Sequence, residues 1–434
     1  VTQEIRCLAD IARVHAARHG DAPAVECGSR SLTFAELYAR AQAVAGALAA
    51  SGVKAQDRVA LIERNGIEGL EVVFGAALLD AVVVSVNWRL APPEILQILD
   101  DAEANLILVG PELVSAVEAI EDVLREPARI IALGGHDSWE SYDTWLARHQ
   151  PLDPGTVAAP DDVAFQLYTS GTTGRPKGVM LTTSNLISHI APIRDHLDFE
   201  PGRSVNLAMM PMFHIAGLGW AALGLYFGCR TVILRDVVPD DILDALSEKG
   251  VTHVLMVPAV IQMLLQTPGI DTADFGALRT LVYGASPIAG AVLETAIATM
   301  GCDFIQVYGL TETTGAITQL AAAEHDPSGR PELLRSCGKP YPWVEIRIVD
   351  PATGDELPAG RVGELWTRSA QNMAGYWKNP TATAEALTSD GWFRTGDAAY
   401  RDAAGFFYLH DRLKDMIVTG AENVYPAEVE NALM

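Results

Sequence analysis

The sequence predicts an α/β protein: two α/β subdomains in succession, then a small β-rich subdomain. Two patterns predict it. Short apolar runs alternate with helical stretches through the first three quarters of the chain, which argues for parallel sheets covered by helices. From about residue 337 the pattern changes to short strands separated by turn-rich segments such as DPATGDELPAG. A length of 434 residues suits about two to four domains or subdomains.

Taken in order, Thr33 and Glu36 form a capping-box pattern that opens an alanine-rich helix running to about Ala50, with Gly52 as its stop. RVALIE (58–63) reads as a buried strand, a helix follows near 66–79, and AVVVSV (81–86) is the next strand. NLILVG (105–110) and RIIALG (129–134) continue the alternation. The Pro-rich segment 150–161 reads as a linker between subdomains. Beyond it come strands 231–235, 252–257, 280–284 and 303–309, with helices at 239–249, 258–266 and 288–300 between them. WVEIRIVD, GRVGELWTRS and GFFYLHDR supply the late strands.

Composition excludes some functions. A net charge of −24 repels nucleic acid and anionic membranes at long range. Cys7, Cys27, Cys229, Cys302 and Cys337 are scattered without metal-type spacing and read as reduced thiols. The N-terminal stretch has no apolar signal core, so a cytoplasmic protein is expected. Residues 204–229 contain no Asp, Glu, Lys or Arg, but Asn206, Pro211, His214 and four glycines interrupt them. A buried helix with flanking strands is therefore expected there, with no transmembrane segment.

The densest chemistry lies in YTSGTTGRPKG (168–178), which follows the apolar strand VAFQLY. Gly171, Gly174 and Gly178 let backbone approach a ligand closely. Thr169, Ser170, Thr172 and Thr173 supply hydroxyls, and Arg175 and Lys177 supply positive charge. Successive N–H groups in such a loop can cradle phosphate oxygens. The spacing is not that of a Walker A loop. Further on, VYGLTETTG (307–315) ends a strand in a glycine turn and delivers Tyr308, Thr311 and Glu312 together. An aromatic face suits a purine and a carboxylate suits a hard cation.

The run YTSGTTGRPKGVMLT resembles the phosphate loop of the adenylate-forming superfamily, which includes acyl-CoA synthetases, luciferases and peptide-synthetase adenylation domains. Other segments agree in order and spacing. The resemblance implies an acyl-CoA synthetase that uses ATP, Mg²⁺ and coenzyme A to activate a small-molecule carboxylic acid. In the 307–315 turn it implies adenine contact at Val307, Tyr308 and Gly309, an α-phosphate bond from Thr311, and Mg²⁺ on Glu312 together with Thr172. Gly284, Ala285 and Ser286 of YGASP resemble the segment lining adenine and the acyl carboxylate, although Tyr283 stands where the family has a small residue. GWFRTGD (391–397) resembles the ribose motif, with Asp397 and then Arg412 as ribose contacts. PMFHIAG (211–217) resembles the mouth of the acyl pocket, where His214 gates or positions the carboxylate. His214, Gly217, Trp220, Tyr283, Gly284 and Gly309 are the expected acyl-pocket residues, with Gly224 and Tyr226 further along the same helix. Lys177, Thr311, Glu312 and His214 are the expected catalytic group.

DRLKD (411–415) resembles the family hinge, with Lys414 at the pivot. The domain expectation is therefore an adenylation domain over 1–411, a hinge over 412–415, and over 416–434 the start of a truncated α+β C-terminal domain. The resemblance places a further catalytic lysine beyond Met434. Residues 211–217 contain no Asp to pair an amino-acid ammonium, which disfavours an amino-acid-activating domain. A fatty or other apolar acid is the expected substrate. Aryl-acid activation with another acceptor, a luciferase-like oxidase and a catalytically inactive nucleotide or acyl-adenylate binding module stay open, as does the choice between monomer and homodimer.

Overall fold

The computed structural model describes residues 4–125, 128–169, 175–412, 417–419 and 422–424. Among them, three large sheets carry the chain. An eight-stranded sheet has the order Gly375–Tyr376, Lys177–Thr182, Val163–Thr169, Val82–Ser85, Arg58–Ile62, Leu106–Val109, Arg129–Ala132 and Glu140–Ser141. Its inner strands Arg58–Ile62 and Val82–Ser85 are buried on both faces, which is why they read as unbroken apolar runs. A nine-stranded sheet runs from Lys339–Pro340 through Gly315–Leu320, Asp303–Leu310, Thr280–Gly284, His253–Met256, Val205–Ala208 and Arg230–Ile233 to Pro23–Cys27 and Arg30–Thr33. A four-stranded antiparallel sheet holds Glu345–Val349, Gly363–Arg368, Phe393–Arg401 and Phe407–Arg412. The α/β class and the late β-rich subdomain are as expected.

The chain does not divide at 150–161. The hairpin after that segment, Val163–Thr169 with Lys177–Thr182, returns to the eight-stranded sheet. Conversely, Pro23–Cys27 lies parallel to Arg230–Ile233 in the nine-stranded sheet. The two α/β units thus exchange strands, and the Pro-rich segment is packed down. Asp153 takes bonds of 2.8 and 2.6 Å from Arg13 and one of 2.7 Å from the Tyr38 hydroxyl. Periodicity identifies strands but carries no information on which distant strand will be the neighbour.

The capping box at Thr33 and Glu36 forms and starts helix Phe34–Ala50. The charge-free stretch becomes strand Val205–Ala208, a loop and the 12-residue helix Ile215–Tyr226. Among the described residues no helix is long and apolar enough to cross a membrane. That helix is locked to its strand by two bonds. The Asn206 amide donates to Trp220 O at 3.0 Å, and the Trp220 indole donates to Leu207 O at 3.1 Å. Gly224 makes room for this, since a Cβ there would lie 2.4 Å from Asn206 Nδ2. Gly224→Ala gains helix propensity but overpacks this contact. We expect a net loss of about 1–2 kcal/mol, read as a lower denaturant midpoint.

Candidate active site

The sheets meet around one cavity of about 1450 Å³. Two strand pairs border it. In the first, strand Val163–Thr169 lies antiparallel to Lys177–Thr182, with Lys177 opposite Thr169. Ser170, Gly171, Thr172, Thr173 and Gly174 lie outside the described residues, as does Lys414; the two flanks, Thr169 and Lys177, stand on the cavity wall. Lys177 Nζ lies 4.9 Å from the centroid of the Tyr376 ring, and the Tyr376 hydroxyl donates to Glu312 Oε1 at 3.0 Å. Lys177 and Glu312, 135 positions apart in sequence, are therefore brought to the same tyrosine.

The second pair turns at the end of strand Asp303–Leu310. One 3₁₀ turn, Thr311–Thr313, reverses the chain into Gly315–Leu320. Gly309 is required because a Cβ would stand 1.9 Å from Gly315 O, and Gly315 itself has φ +124°. The Thr313 hydroxyl accepts from Leu310 N at 2.9 Å and lies 2.7 Å from Gly315 O, bracing the reversal. Thr311 and Glu312 are thereby presented to the cavity.

Behind this turn the Tyr308 hydroxyl donates to Asp397 Oδ2 at 2.5 Å. Burial, with the Asp397 charge next, pushes the phenol well above its usual range, so it stays a donor. Tyr308 is 9% and Asp397 7% exposed, and the wall beside them is formed by Gly309, Thr395 and Gly396. The expected adenine and ribose residues are thus brought together, but they bond one another behind the wall. Arg412 is the backbone partner of Asp397 across the antiparallel pair.

Besides Tyr308 and Asp397, the expected Tyr283, Gly217, Ser286, Gly224 and Tyr226 are not on this wall. Along Thr280–Gly284 side chains alternate, so Val282 and Gly284 face the cavity while Tyr283 faces the other side. Tyr283 packs against Phe304 and its hydroxyl bonds His325 Nε2 at 3.0 Å, which removes it from the acyl pocket. Gly217 is a packing residue: a Cβ there would meet Pro211 O at 2.2 Å. Ser286 points to solvent, although Ala285, with φ +69°, and Gly284 and Val307 do line the wall.

His214 caps helix Ile215–Tyr226 at the cavity, with its ring 4.2 Å from that of Phe213. Burial, and then the charge of Arg89, lower its pKa and favour the neutral ring. The apolar side chains of Ile190, Ile193, Leu197, Trp220 and Leu223 line the same cavity.

Sequence reasoning missed Asn65, Tyr376, Arg89 and His189. Asn65 fixes the loop that carries His214. Its amide donates to Met209 O, Met210 O and Leu234 O at 3.2, 3.1 and 3.0 Å, and its oxygen accepts from Met212 N at 2.9 Å. No local pattern announces a residue whose partners are all distant backbone. Tyr376 left a trace, because a Tyr-Trp pair between glycine and turn residues is an unusual surface sequence.

The chain matches the model of the AMP-binding enzyme family over residues 12–377, and it belongs to that family of acyl- and aryl-CoA ligases. It is 39% identical to the fatty acid–[acyl-carrier-protein] ligase ScoC of Streptomyces coeruleorubidus, over 99% of this chain and 82% of that protein. It is 38% identical to a feruloyl-CoA synthase of an Amycolatopsis species, over 95% and 80%. The N-terminal domain of FACL13 from Mycobacterium tuberculosis superposes with a TM-score of 0.85 at 28% identity, covering 94% of this chain and 100% of that one.

Two predictions follow from the Asn65 corner. Asn65→Leu leaves buried carbonyls unpaired, so a loss of about 1–3 kcal/mol is expected in chemical denaturation, with a weaker acid affinity. Beside it, burial and the Glu68 charge raise the pKa of Glu63 from 4.5 to about 8, against the pull of Arg235. The folded state then holds a proton that the unfolded state has lost, so this residue's contribution falls as pH rises from about 4.5 to about 8. Denaturation midpoints of wild type and Glu63→Gln should therefore separate over that window, with wild type losing more.

Proposed function

We propose that the protein activates an apolar carboxylic acid as an acyl-adenylate and passes the acyl group to a thiol. The observation that carries this reading is the meeting of Lys177 and Glu312 at Tyr376, on the wall of a cavity also lined by Thr311, His214 and the apolar Ile190, Ile193, Leu197, Trp220 and Leu223. The substrate carboxylate attacks the α-phosphorus of ATP, the bond to the bridging oxygen breaks, and pyrophosphate leaves. Lys177 neutralises phosphate charge, and the Thr311 hydroxyl donates to the α-phosphate as charge develops. Neutral His214 orients the carboxylate without competing for it as a cation.

Among the described residues no three His, Cys, Asp or Glu side chains gather into a metal cage. A single wall carboxylate nevertheless fits Mg²⁺, which takes most of its oxygens from phosphates and water. Glu312, with Thr172, would hold that ion, which when bound offsets phosphate charge. Ribose contacts are assigned to Asp397 and Arg412, and adenine contacts to Gly284, Ala285 and the 307–309 backbone.

In the second half-reaction a thiolate attacks the acyl carbonyl and AMP leaves. Coenzyme A is the acceptor we favour, with Lys414 as the pivot of the 412–415 hinge. The relatives differ here, since one is named for an acyl-carrier protein and one for CoA. They also differ in acid, fatty in one and aryl in the other, so both acid classes belong in the test. The Lys177–Tyr376–Glu312 arrangement argues against a catalytically inactive binding module.

Calorimetry should detect ATP binding by the wild type, and Lys177→Ala should weaken it by roughly 10–100-fold, as for loss of a charged hydrogen bond. Absence of any adenine-nucleotide binding at millimolar concentration would overturn the reading.

A further inference from the structure

The turn that carries Thr311 and Glu312 is held by one buried side chain. Gln371 lies between strands Gly363–Arg368 and Gly375–Tyr376, is fully buried, and does not line the cavity. Its amide nitrogen donates to Thr313 O at 2.8 Å and to Ala316 O at 2.9 Å, the carbonyls that flank Thr314 and Gly315. Its main-chain oxygen accepts from the Thr314 hydroxyl at 2.5 Å. Two residues on, Met373 N donates to Glu312 O at 2.8 Å. The amide is itself oriented. The Trp343 indole N–H donates to Gln371 Oε1 at 2.7 Å. An indole nitrogen can only donate, so it keeps the amide oxygen on its side and aims both N–H bonds at the turn. His189 hydrogen-bonds the same side chain. Asn185 grips the segment on either side of Gln371, donating to Ala370 O at 2.9 Å and Asn372 O at 2.7 Å.

The turn needs such a hold. Thr314 has φ +57°, a left-handed conformation that β-branched residues rarely adopt. Backbone in that region persists only where its surroundings over-determine it. Without Gln371 the turn is free to relax, and Thr311 and Glu312 at its start move with it. We infer that Gln371 is a positioning residue for acyl-adenylate formation, acting through the 311–316 backbone to hold Thr311 and Glu312 against the nucleotide and its cation. The inference rests on the acyl-adenylate reading above. Tyr376 does not make Gln371 redundant, because its hydroxyl meets only the Glu312 carboxylate and leaves the main chain unfixed. Nor does space-filling account for the residue. An apolar side chain of the same length would leave both carbonyls and the indole without the partner they have now.

Calorimetry on the full chain gives the ATP affinity with Mg²⁺ and with a chelator in its place, and the ratio of the two measures how well Glu312 meets the cation. Gln371→Met keeps the side chain's length without its hydrogen bonds and should cut that ratio about 10-fold, the scale of one charge-assisted bond. Trp343→Phe removes the indole donor from a half-buried residue and should cut it about 3-fold, so it decides the outcome if Gln371→Met does not fold. In a Glu312→Gln background, adding Gln371→Met should leave the remaining ratio unchanged, because the path to the cation is already cut. A brace with no positioning role gives another pattern: a lower denaturation midpoint, with ATP affinity reduced equally in the presence and absence of Mg²⁺. That pattern would overturn the inference, as would folded variants that keep the wild-type ratio or an equal further loss in the Glu312→Gln background. Wild type that binds ATP with no Mg²⁺ advantage removes the cation from Glu312, and this inference with it, while the acyl-adenylate reading stands. Wild type that binds no ATP removes both.

Discussion

A phenol bonded to a carboxylate holds the site together. Tyr308 comes from the nine-stranded sheet and Asp397 from the four-stranded one, and their 2.5 Å bond is buried where the two sheets meet. A second bond of the same chemistry, Tyr376 to Glu312, joins the short edge strand of the eight-stranded sheet to the same turn. A carboxylate taken out of water is costly unless it is hydrogen-bonded, so Tyr308 stabilises the buried Asp397, while Tyr376 fixes the half-buried Glu312 at the cavity. Asn65 does comparable work with backbone partners, tying the end of strand Arg58–Ile62 to the loop that leads into His214. The cavity is the seam between sheets, and the groups that line it are also the groups that fasten the sheets.

This arrangement explains why the turn at 307–316 tolerates little change. Gly309 and the Gly315 carbonyl are in contact, so the reversal after Leu310 is set by backbone geometry before any side chain is placed. Thr313 turns inward to brace it, which leaves Thr311 and Glu312 on the outside of the turn, toward the cavity. Val307, Leu310 and Ala316 of the same strand pair also line the cavity. Polar chemistry and apolar recognition are therefore held in one rigid frame, which is the condition for orienting a carboxylate against a phosphate.

The sequence made the local features legible and left the long-range ones hidden. The strands and helices were readable because burial on two faces, capping and glycine stops act within a few residues. The turns carrying Thr311, Glu312 and Lys177 were readable because they are dense in glycine and hydroxyls. Tyr283 was misread because a strand residue's side is decided by which face meets the cavity, and its neighbours Val282 and Gly284 took that face. The exchange of strands between sheets was invisible for a related reason: Pro23–Cys27 reads the same whether its partner is near or some two hundred residues away. Asn65 and His189 sit in segments with no composition bias, and they acquire meaning only once distant backbone closes around them.

The net charge of −24 looks ill-suited to anionic substrates, but it acts over long distances through screening solvent, whereas the cavity acts at contact. Lys177, Arg89 and Arg394 stand on the cavity wall with Glu94, Glu312, Glu364 and Glu385, beside the uncharged Ile190, Ile193, Leu197, Trp220 and Leu223. The wall thus offers charges of both signs beside apolar surface, so contact with single groups, and not the net charge, decides whether an anionic ligand is held.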